Sequence, residues 1–149
     1  MQIGIVLDNY ESPLEDLENI ISSYGLMREI GYLRINPERV PMVMSESKAD
    51  EAIDRFQYHV AEYDICNGKY ELVADERGIA TVDDYIILSG NAFIARRQGR
   101  ALTGLTASEI TEWIKRLEKM PRDKVQSTRD NTVYSGYVFT LDKETGCWN

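Results

Sequence analysis

The chain has 149 residues, of which 43% are hydrophobic and 28% charged, as expected for one folded domain over residues 1–149 and not for a disordered protein. Its net charge of −8 argues against direct binding to duplex nucleic acid, and its longest apolar runs are too short for a membrane span. The N-terminus lacks the basic region of a signal peptide and the two cysteines are too few for a disulfide framework, so we expect a reduced, cytoplasmic protein with no membrane partner.

A strand and a helix are predicted at the start of the chain. Residues 2–7 predict a buried strand, because after Gln2 they are apolar apart from one glycine. The pattern Ser12-Pro13-Leu14-Glu15 is a capping box with proline at the first helical position, and Gly25 marks the end of the helix that it begins.

Two strands and a second helix are predicted next. Residues 30–35 and 40–44 have the composition of strands. Because Pro41 cannot donate a ladder hydrogen bond, the second of these strands is expected at a sheet edge. Ser47 is predicted to cap a helix whose apolar face continues as far as Tyr63.

Two hairpins are predicted in the middle of the chain. Asn67-Gly68 lies between two strand-like segments and is a strong signal for a two-residue turn. Gly90-Asn91 stands in the same way between residues 85–89 and residues 92–96, which predicts a second hairpin.

A third helix and a last strand complete the pattern. Thr106-Ala107-Ser108-Glu109 is a capping box that begins the helix, Pro121 stops it, and residues 132–141 form the strand. The chain is therefore predicted to be an α+β domain, mainly an antiparallel sheet with about three helices packed on it. The first six elements follow the order β-α-β-β-α-β, so a ferredoxin-like core with a C-terminal hairpin–helix–strand extension is one candidate topology.

The opening of the chain resembles that of an enzyme family. The stretch IGIVLDNYESPLEDL, residues 3–17, is similar to the strand, Asp-Asn-Tyr-Asp-Ser turn and helix that open class I glutamine amidotransferases. The resemblance implies a nucleophilic cysteine on a glycine-rich turn and a later His-Glu pair. Cys66 is not on such a turn, and the single histidine, His59, precedes it and is expected to be structural. We therefore lean towards a protein without enzymatic activity.

Charge is divided unevenly along the chain and predicts a binding surface. Residues 1–88 contain 18 acidic and 7 basic side chains, whereas residues 89–149 contain 7 acidic and 10 basic ones. Acidic groups that begin or flank predicted elements are the candidates for an acidic face, namely Asp8, Glu11, Asp75, Glu76, Asp83 and Asp84. Their spacing matches no metal motif, so neither a metal nor another cofactor is expected.

A basic cluster gives the alternative site. Arg96, Arg97 and Arg100 precede a loop and the capped third helix, where guanidinium groups and backbone N–H groups could hold an anion. The loop has neither a phosphate-binding lysine motif nor a dinucleotide glycine motif. The cluster is therefore a candidate site for an anionic metabolite in a small enzyme or ligand-binding domain.

Three hypotheses on function follow. The leading one is a small acidic binding protein or inhibitor that acts on a protein partner with a basic surface, such as a nucleic-acid-processing enzyme. Inhibitors of the phage anti-defence or immunity type have this size and charge. The second is the small enzyme or ligand-binding domain just described. The third is a structural homo-oligomer subunit, in which the strand near Pro41 or the C-terminal strand pairs with a second copy.

Overall fold

The structure is a computed structural model that describes residues 11–13, 29–66, 68–120, 124–126 and 133–148. In these residues the helices are α1 (Glu46–Asp54) and α2 (Ala107–Lys119), and a 3-10 turn covers Glu76–Gly78. The strands are β1 (Glu11–Pro13), β2 (Glu29–Ile35), β3 (Met42–Met44), β4 (Val60–Ile65), β5 (Tyr70–Asp75), β6 (Ile79–Val82), β7 (Tyr85–Leu88), β8 (Ala92–Gln98), β9 (Ala101–Thr103), β10 (Leu105–Thr106), β11 (Lys124–Gln126), β12 (Val133–Ser135), β13 (Tyr137–Asp142) and β14 (Cys147–Trp148). The predicted strand over residues 2–7 and residues 14–25 of the predicted first helix lie outside these residues. Ser12 and Pro13, predicted as the cap and first position of that helix, instead belong to β1, because they pair with β3.

Twelve strands belong to one large sheet. Hydrogen bonds join ten of them in the order β1-β3-β2-β8-β5-β4-β14-β13-β7-β6, with β10 beside β2 and β9 beside β8. The pairs are antiparallel except for the contact of β14 with β4, and β11 and β12 form a separate ribbon. The predicted α+β class with a mainly antiparallel sheet is therefore confirmed.

Each helix covers a different face of the sheet. In β8, Ala92 and Ile94 belong to the core cluster under α2, whereas Phe93 and Ala95 belong to the cluster under α1. This alternation follows from the two-residue period of a strand. The centre of the sheet is thus buried on both sides.

Helix α2 confirms the prediction made from its capping box. The Thr106 hydroxyl accepts a hydrogen bond from the Glu109 N–H, and the Glu109 carboxylate accepts one from the Thr106 N–H. Ile110, Trp113 and Leu117 are buried at helical spacing against the sheet. Local capping and amphipathic periodicity together account for this element.

Helix α1 is shorter than predicted. Its N-cap is Ser45 and not Ser47, and it ends at Asp54 instead of continuing to Tyr63. Residues 60–65 form β4 because they pair along their whole length with β5. The helical spacing of apolar residues was therefore misleading, since a strand partner outside the local sequence decides the conformation.

One predicted hairpin is confirmed and the other is wrong. Strands β4 and β5 pair as the Asn67-Gly68 turn predicts. Strands β7 and β8 do not pair with each other, because β7 lies between β6 and β13 while β8 lies between β2 and β5. The hairpin partner of β7 is β6, and Asp83 in the turn between them has a positive φ of 53°.

The ferredoxin-like core and the predicted edge strand are not found. Strand β2 has β8 on the side opposite β3, and β4 lies between β5 and β14. Strand β3, which follows Pro41, lies between β1 and β2, so its prediction as an edge was wrong. Among the described residues, α1 and α2 are the two α-helices, and a third helix is not confirmed.

Candidate functional site

The acidic residues predicted to form a face lie in several places, and some already have partners. Asp8 is outside the described residues. Glu11 on β1 forms an ion pair with Arg34, with Oε1 and Nη1 3.0 Å apart. Both carboxylate oxygens of Asp75 accept hydrogen bonds from the Arg77 guanidinium at 3.0 Å, and these bonds lower the pKa of Asp75. These two carboxylates are therefore largely neutralised.

The remaining predicted acids are in two other places. Asp83 and Asp84 are at the β6 end of the strand order, whereas Glu11 is on β1 at the other end, and Glu76 is near the single histidine. Asp83 and Asp84 form the turn between β6 and β7, and Asp84 Oδ2 is 3.1 Å from Lys143 Nζ. Glu76 Oε1 is 3.7 Å from Nδ1 of His59, which follows α1 and is exposed. Across the described ranges, no three His, Cys, Asp or Glu side chains are grouped closely enough to hold a metal ion.

The three candidate arginines do not share a pocket. Arg96 and Arg97 are neighbours in β8 and so point to opposite faces of the sheet. Arg96 Nη2 is 3.0 Å from Glu109 Oε1 on the α2 side, whereas Arg97 Nε is 3.8 Å from Glu71 Oε2 on the other side. Arg100 is exposed in the turn between β8 and β9.

A more concentrated candidate surface surrounds Tyr58, between α1 and β4. Tyr58 is fully exposed, the most exposed large hydrophobic side chain among the described residues. It lies beside a pocket of about 460 Å³ whose walls include Ile53, Asp54, Gln57 and Val60. An aromatic side chain standing free beside a partly apolar pocket is a typical protein-binding feature.

The backbone that presents Tyr58 is strained. Gln57 and Tyr58 both have positive φ, at 53° and 71°, a conformation that costs about 1–2 kcal/mol for a residue other than glycine. The turn between α1 and β4 contains hydrogen bonds from Gln57 N–H to Asp54 O and from His59 N–H to Phe56 O. Non-glycine residues in this conformation concentrate at functional sites, which supports a role for the turn.

Acidic side chains lie along α1 and β4, the two elements that contribute Asp54 and Val60 to this pocket, and we call the whole surface the α1–β4 face. Glu46, Asp50 and Asp54 recur every fourth residue and so lie along one side of α1. Glu62 and Asp64 follow Val60 on the same face of β4 and are exposed. The face is therefore negatively charged around an apolar and aromatic centre.

Besides burial, the carboxylates of α1 raise the pKa of a buried tyrosine, Tyr32. Burial is the largest cause that raises the pKa of Tyr32 to about 12, and the carboxylates of Glu46, Asp50 and Glu29 raise it further. A phenol resists ionisation where the local potential is already negative. The first half of α1 thus contributes negative potential as well as exposed area.

A buried carboxyl group adjoins the face. Glu71 on β5 is only 3% exposed and lies directly opposite Asp64 of β4. Burial, followed by the hydrogen bond and the charge of Asp64, raises the pKa of Glu71 to about 7, although Arg97 acts in the other direction. The fold therefore favours the neutral form of this buried carboxyl.

The uneven charge of the sequence indicates that residues 1–88 are acidic, but it does not predict the α1–β4 face. Tyr58 was assigned to a helix that in fact ends four residues earlier, so its exposure was not foreseen. A usable signal was present in the polar run Asp54-Arg55 and Gln57-Tyr58-His59, which interrupts the apolar spacing.

Neither the helices nor comparison with known proteins assigns a function. Neither α1 nor α2, the helices of the described residues, is long and apolar enough to cross a membrane. Comparison with known protein families, with curated protein sequences and with solved structures finds no match for this chain.

Proposed function

We propose that the protein acts by binding a protein partner with a basic surface, through the α1–β4 face and without chemistry of its own. The observation that carries this proposal is the fully exposed Tyr58, presented by a strained turn beside a partly apolar pocket, on two elements that carry exposed carboxylates. Tyrosine gives a large contact area at a low cost in side-chain entropy.

The two parts of the face contribute differently to binding. Tyr58 and the pocket with Ile53 and Val60 supply the area that is removed from water, and such an aromatic anchor typically dominates the affinity. The carboxylates at the edge, such as Asp50 and Asp54, attract a basic surface over a longer range and mainly raise the rate of association. Binding should therefore weaken as salt increases.

The partner class that fits this chemistry is a protein whose basic surface serves nucleic acid. Carboxylates spaced along α1 and β4 present negative charge on a rigid support, as phosphates do along a nucleic-acid strand. Bound to such a surface, the protein would act as an inhibitor of the phage anti-defence or immunity type, in the cytoplasm. This finer proposal rests on charge complementarity.

The two alternative functions have less support in the described residues. An anion site made of Arg96, Arg97 and Arg100 lacks a shared pocket, because Arg96 and Arg97 lie on opposite faces of the sheet. A homo-oligomer through β3 or through β13, which covers the second half of the predicted C-terminal strand, would need a free strand edge, and both strands have neighbours on two sides.

The test is capture of partners from the native lysate by three tagged proteins, the wild type, Asp50→Asn/Asp54→Asn and Asp83→Asn/Asp84→Asn. The proposal expects one stoichiometric basic protein on the wild type, released by high salt, and much less of it on the α1 variant. The second variant removes the same charge from the β6–β7 turn and should retain the partner. Equal loss in both variants, or no partner on the wild type, would contradict the proposal.

A further inference from the structure

A second, smaller pocket is lined by arginines and shares no lining residue with the pocket beside Tyr58. Its volume is about 150 Å³, and Arg34, Arg39 and Arg55 line it together with the Asn91 amide. The aromatic rings of Phe56 and Phe93 complete its walls. The volume is below that of pockets for drug-sized ligands and is suited to a group of a few heavy atoms.

Three different elements bring the arginines together. Arg34 belongs to β2 and Arg55 is the C-cap of α1. Arg39 lies in the turn before β3, where its N–H donates to the Asn36 carbonyl at 3.0 Å and the Glu38 N–H donates to Asn36 Oδ1 at 2.9 Å. Each of the three arginines therefore has its backbone in a strand, at a helix end or in a hydrogen-bonded turn.

The pocket keeps a positive charge. Its one acidic lining residue, Asp75, is held through both oxygens by Arg77, which is not part of the lining. Arg34 is paired with Glu11, whereas Arg39 and Arg55 have no carboxylate within 4.0 Å among the residues that the structure describes. Two guanidinium groups thus remain available to a ligand.

The Asn91 side chain can donate a hydrogen bond to a ligand in this pocket, as the arginines can. Asn91 Oδ1 already accepts a hydrogen bond from Asn36 Nδ2 at 3.0 Å. The remaining polar group of the Asn91 side chain is its Nδ2, which can only donate. Guanidinium forks and an amide donor around a small volume match the tetrahedral oxygens of an oxyanion.

We propose that this arginine pocket, defined by Arg34, Arg39 and Arg55, binds a phosphoryl group, either as inorganic phosphate or as the head of a small phosphate monoester. The site uses other side chains than the α1–β4 face and a ligand of opposite charge, so it stands or falls independently of the proposed protein partner. Bound phosphate would join β2, the turn before β3 and the end of α1, and so stabilise the fold.

The test is titration calorimetry of the purified full chain with inorganic phosphate and with glycerol phosphate, at constant ionic strength. We expect saturable binding by the wild type that weakens roughly tenfold or more in Arg39→Gln and in Arg55→Gln. The matched control is Arg100→Gln, which removes an exposed arginine from the turn between β8 and β9. Its affinity should equal that of the wild type. Circular dichroism checks that every variant is folded.

The outcomes separate a built site from general attraction of anions. Tighter binding of glycerol phosphate identifies a monoester as the ligand, and equal binding identifies phosphate itself; both support the pocket. Equal weakening in all three variants, or equal affinity in all of them, indicates an adventitious ion only and overturns the proposal. Absence of saturable binding by the wild type overturns it as well.

Discussion

The guanidinium of Arg96 lies 3.0 Å from the carboxylate of Glu109, and this contact ties β8 to the first turn of α2. Burial acts to raise the pKa of Glu109, but hydrogen bonds from the Thr106 N–H and the Tyr70 hydroxyl, together with the charge of Arg96, hold it below its ordinary value. One carboxylate therefore serves as helix cap, ion-pair partner and hydrogen-bond acceptor.

Replacing this carboxylate should weaken the fold. Glu109→Ala removes the capping box, the acceptor of the Tyr70 hydroxyl and the ion-pair partner of Arg96, so we expect a loss of about 2 kcal/mol in the free energy of unfolding. Glu112→Ala, at an exposed position of the same helix, should change it by less than about 0.5 kcal/mol. Urea denaturation measures both, and equal effects would contradict this account of α2.

Stability should depend on pH through Glu71. Its folded pKa of about 7 lies above the ordinary 4.5, so the fold favours the neutral carboxyl. The stability that this contributes is complete below pH 4.5 and is lost as the pH rises through 7. The charged groups that face it are Asp64 and Glu62 of β4 and Arg97 of β8.

Glu71→Gln separates the charge from the shape of this side chain. Because glutamine is neutral at every pH, the variant should be more stable than the wild type by roughly 1–3 kcal/mol at pH 8, and close to it at pH 5. Chemical denaturation at the two pH values gives the comparison. A difference that does not change with pH would show that Glu71 does not titrate as the structure indicates.

Two glycines allow a close crossing of the backbone. A Cβ atom added to Gly78 would lie 2.6 Å from the Cα of Gly90, and one added to Gly90 would lie 2.8 Å from the Cα of Gly78. We expect Gly90→Ala to cost about 1–3 kcal/mol in the free energy of unfolding. Ser89→Ala is the neighbouring exposed control and should cost much less. Thermal unfolding of the two variants tests whether this crossing is as tight as described.

The turn at Tyr58 should show a conflict between stability and binding. Asparagine tolerates positive φ better than tyrosine does, and the Tyr58 side chain is fully exposed. Tyr58→Asn is therefore expected to raise the free energy of unfolding by about 0.5 kcal/mol. Tyr85→Asn, in a strand and 39% exposed, should lower it. A clear loss of stability in Tyr58→Asn would mean that the turn is not strained as described.

The elements predicted correctly from sequence are those with local signals. The capping box at Thr106 and Glu109 defines the start of α2, and the pairing of β4 with β5 is the one predicted from the sequence Asn67-Gly68, of which Asn67 lies outside the described residues. In both cases the residues that decide the structure are within a few positions of each other, so the pattern could be recognised without knowledge of the rest of the chain.

The predictions that failed depended on distant parts of the chain. Residues 60–63 have helical spacing but pair with β5, and β8 takes β2 and β5 as neighbours instead of β7. The arginine pocket combines Arg34, Arg39 and Arg55 from three elements, and no spacing in the sequence links them. Such proximity is set by strand order, which local propensity does not encode.

Tyr58 is proposed as the anchor for a basic protein partner on the α1–β4 face. The most direct measurement compares the affinity of that captured partner for the wild type, Tyr58→Asn and Tyr85→Asn, with the fold of each variant checked by circular dichroism. We expect Tyr58→Asn to raise the Kd for the partner by roughly tenfold or more and Tyr85→Asn to leave this Kd unchanged. An unchanged Kd for a folded Tyr58→Asn protein would contradict it.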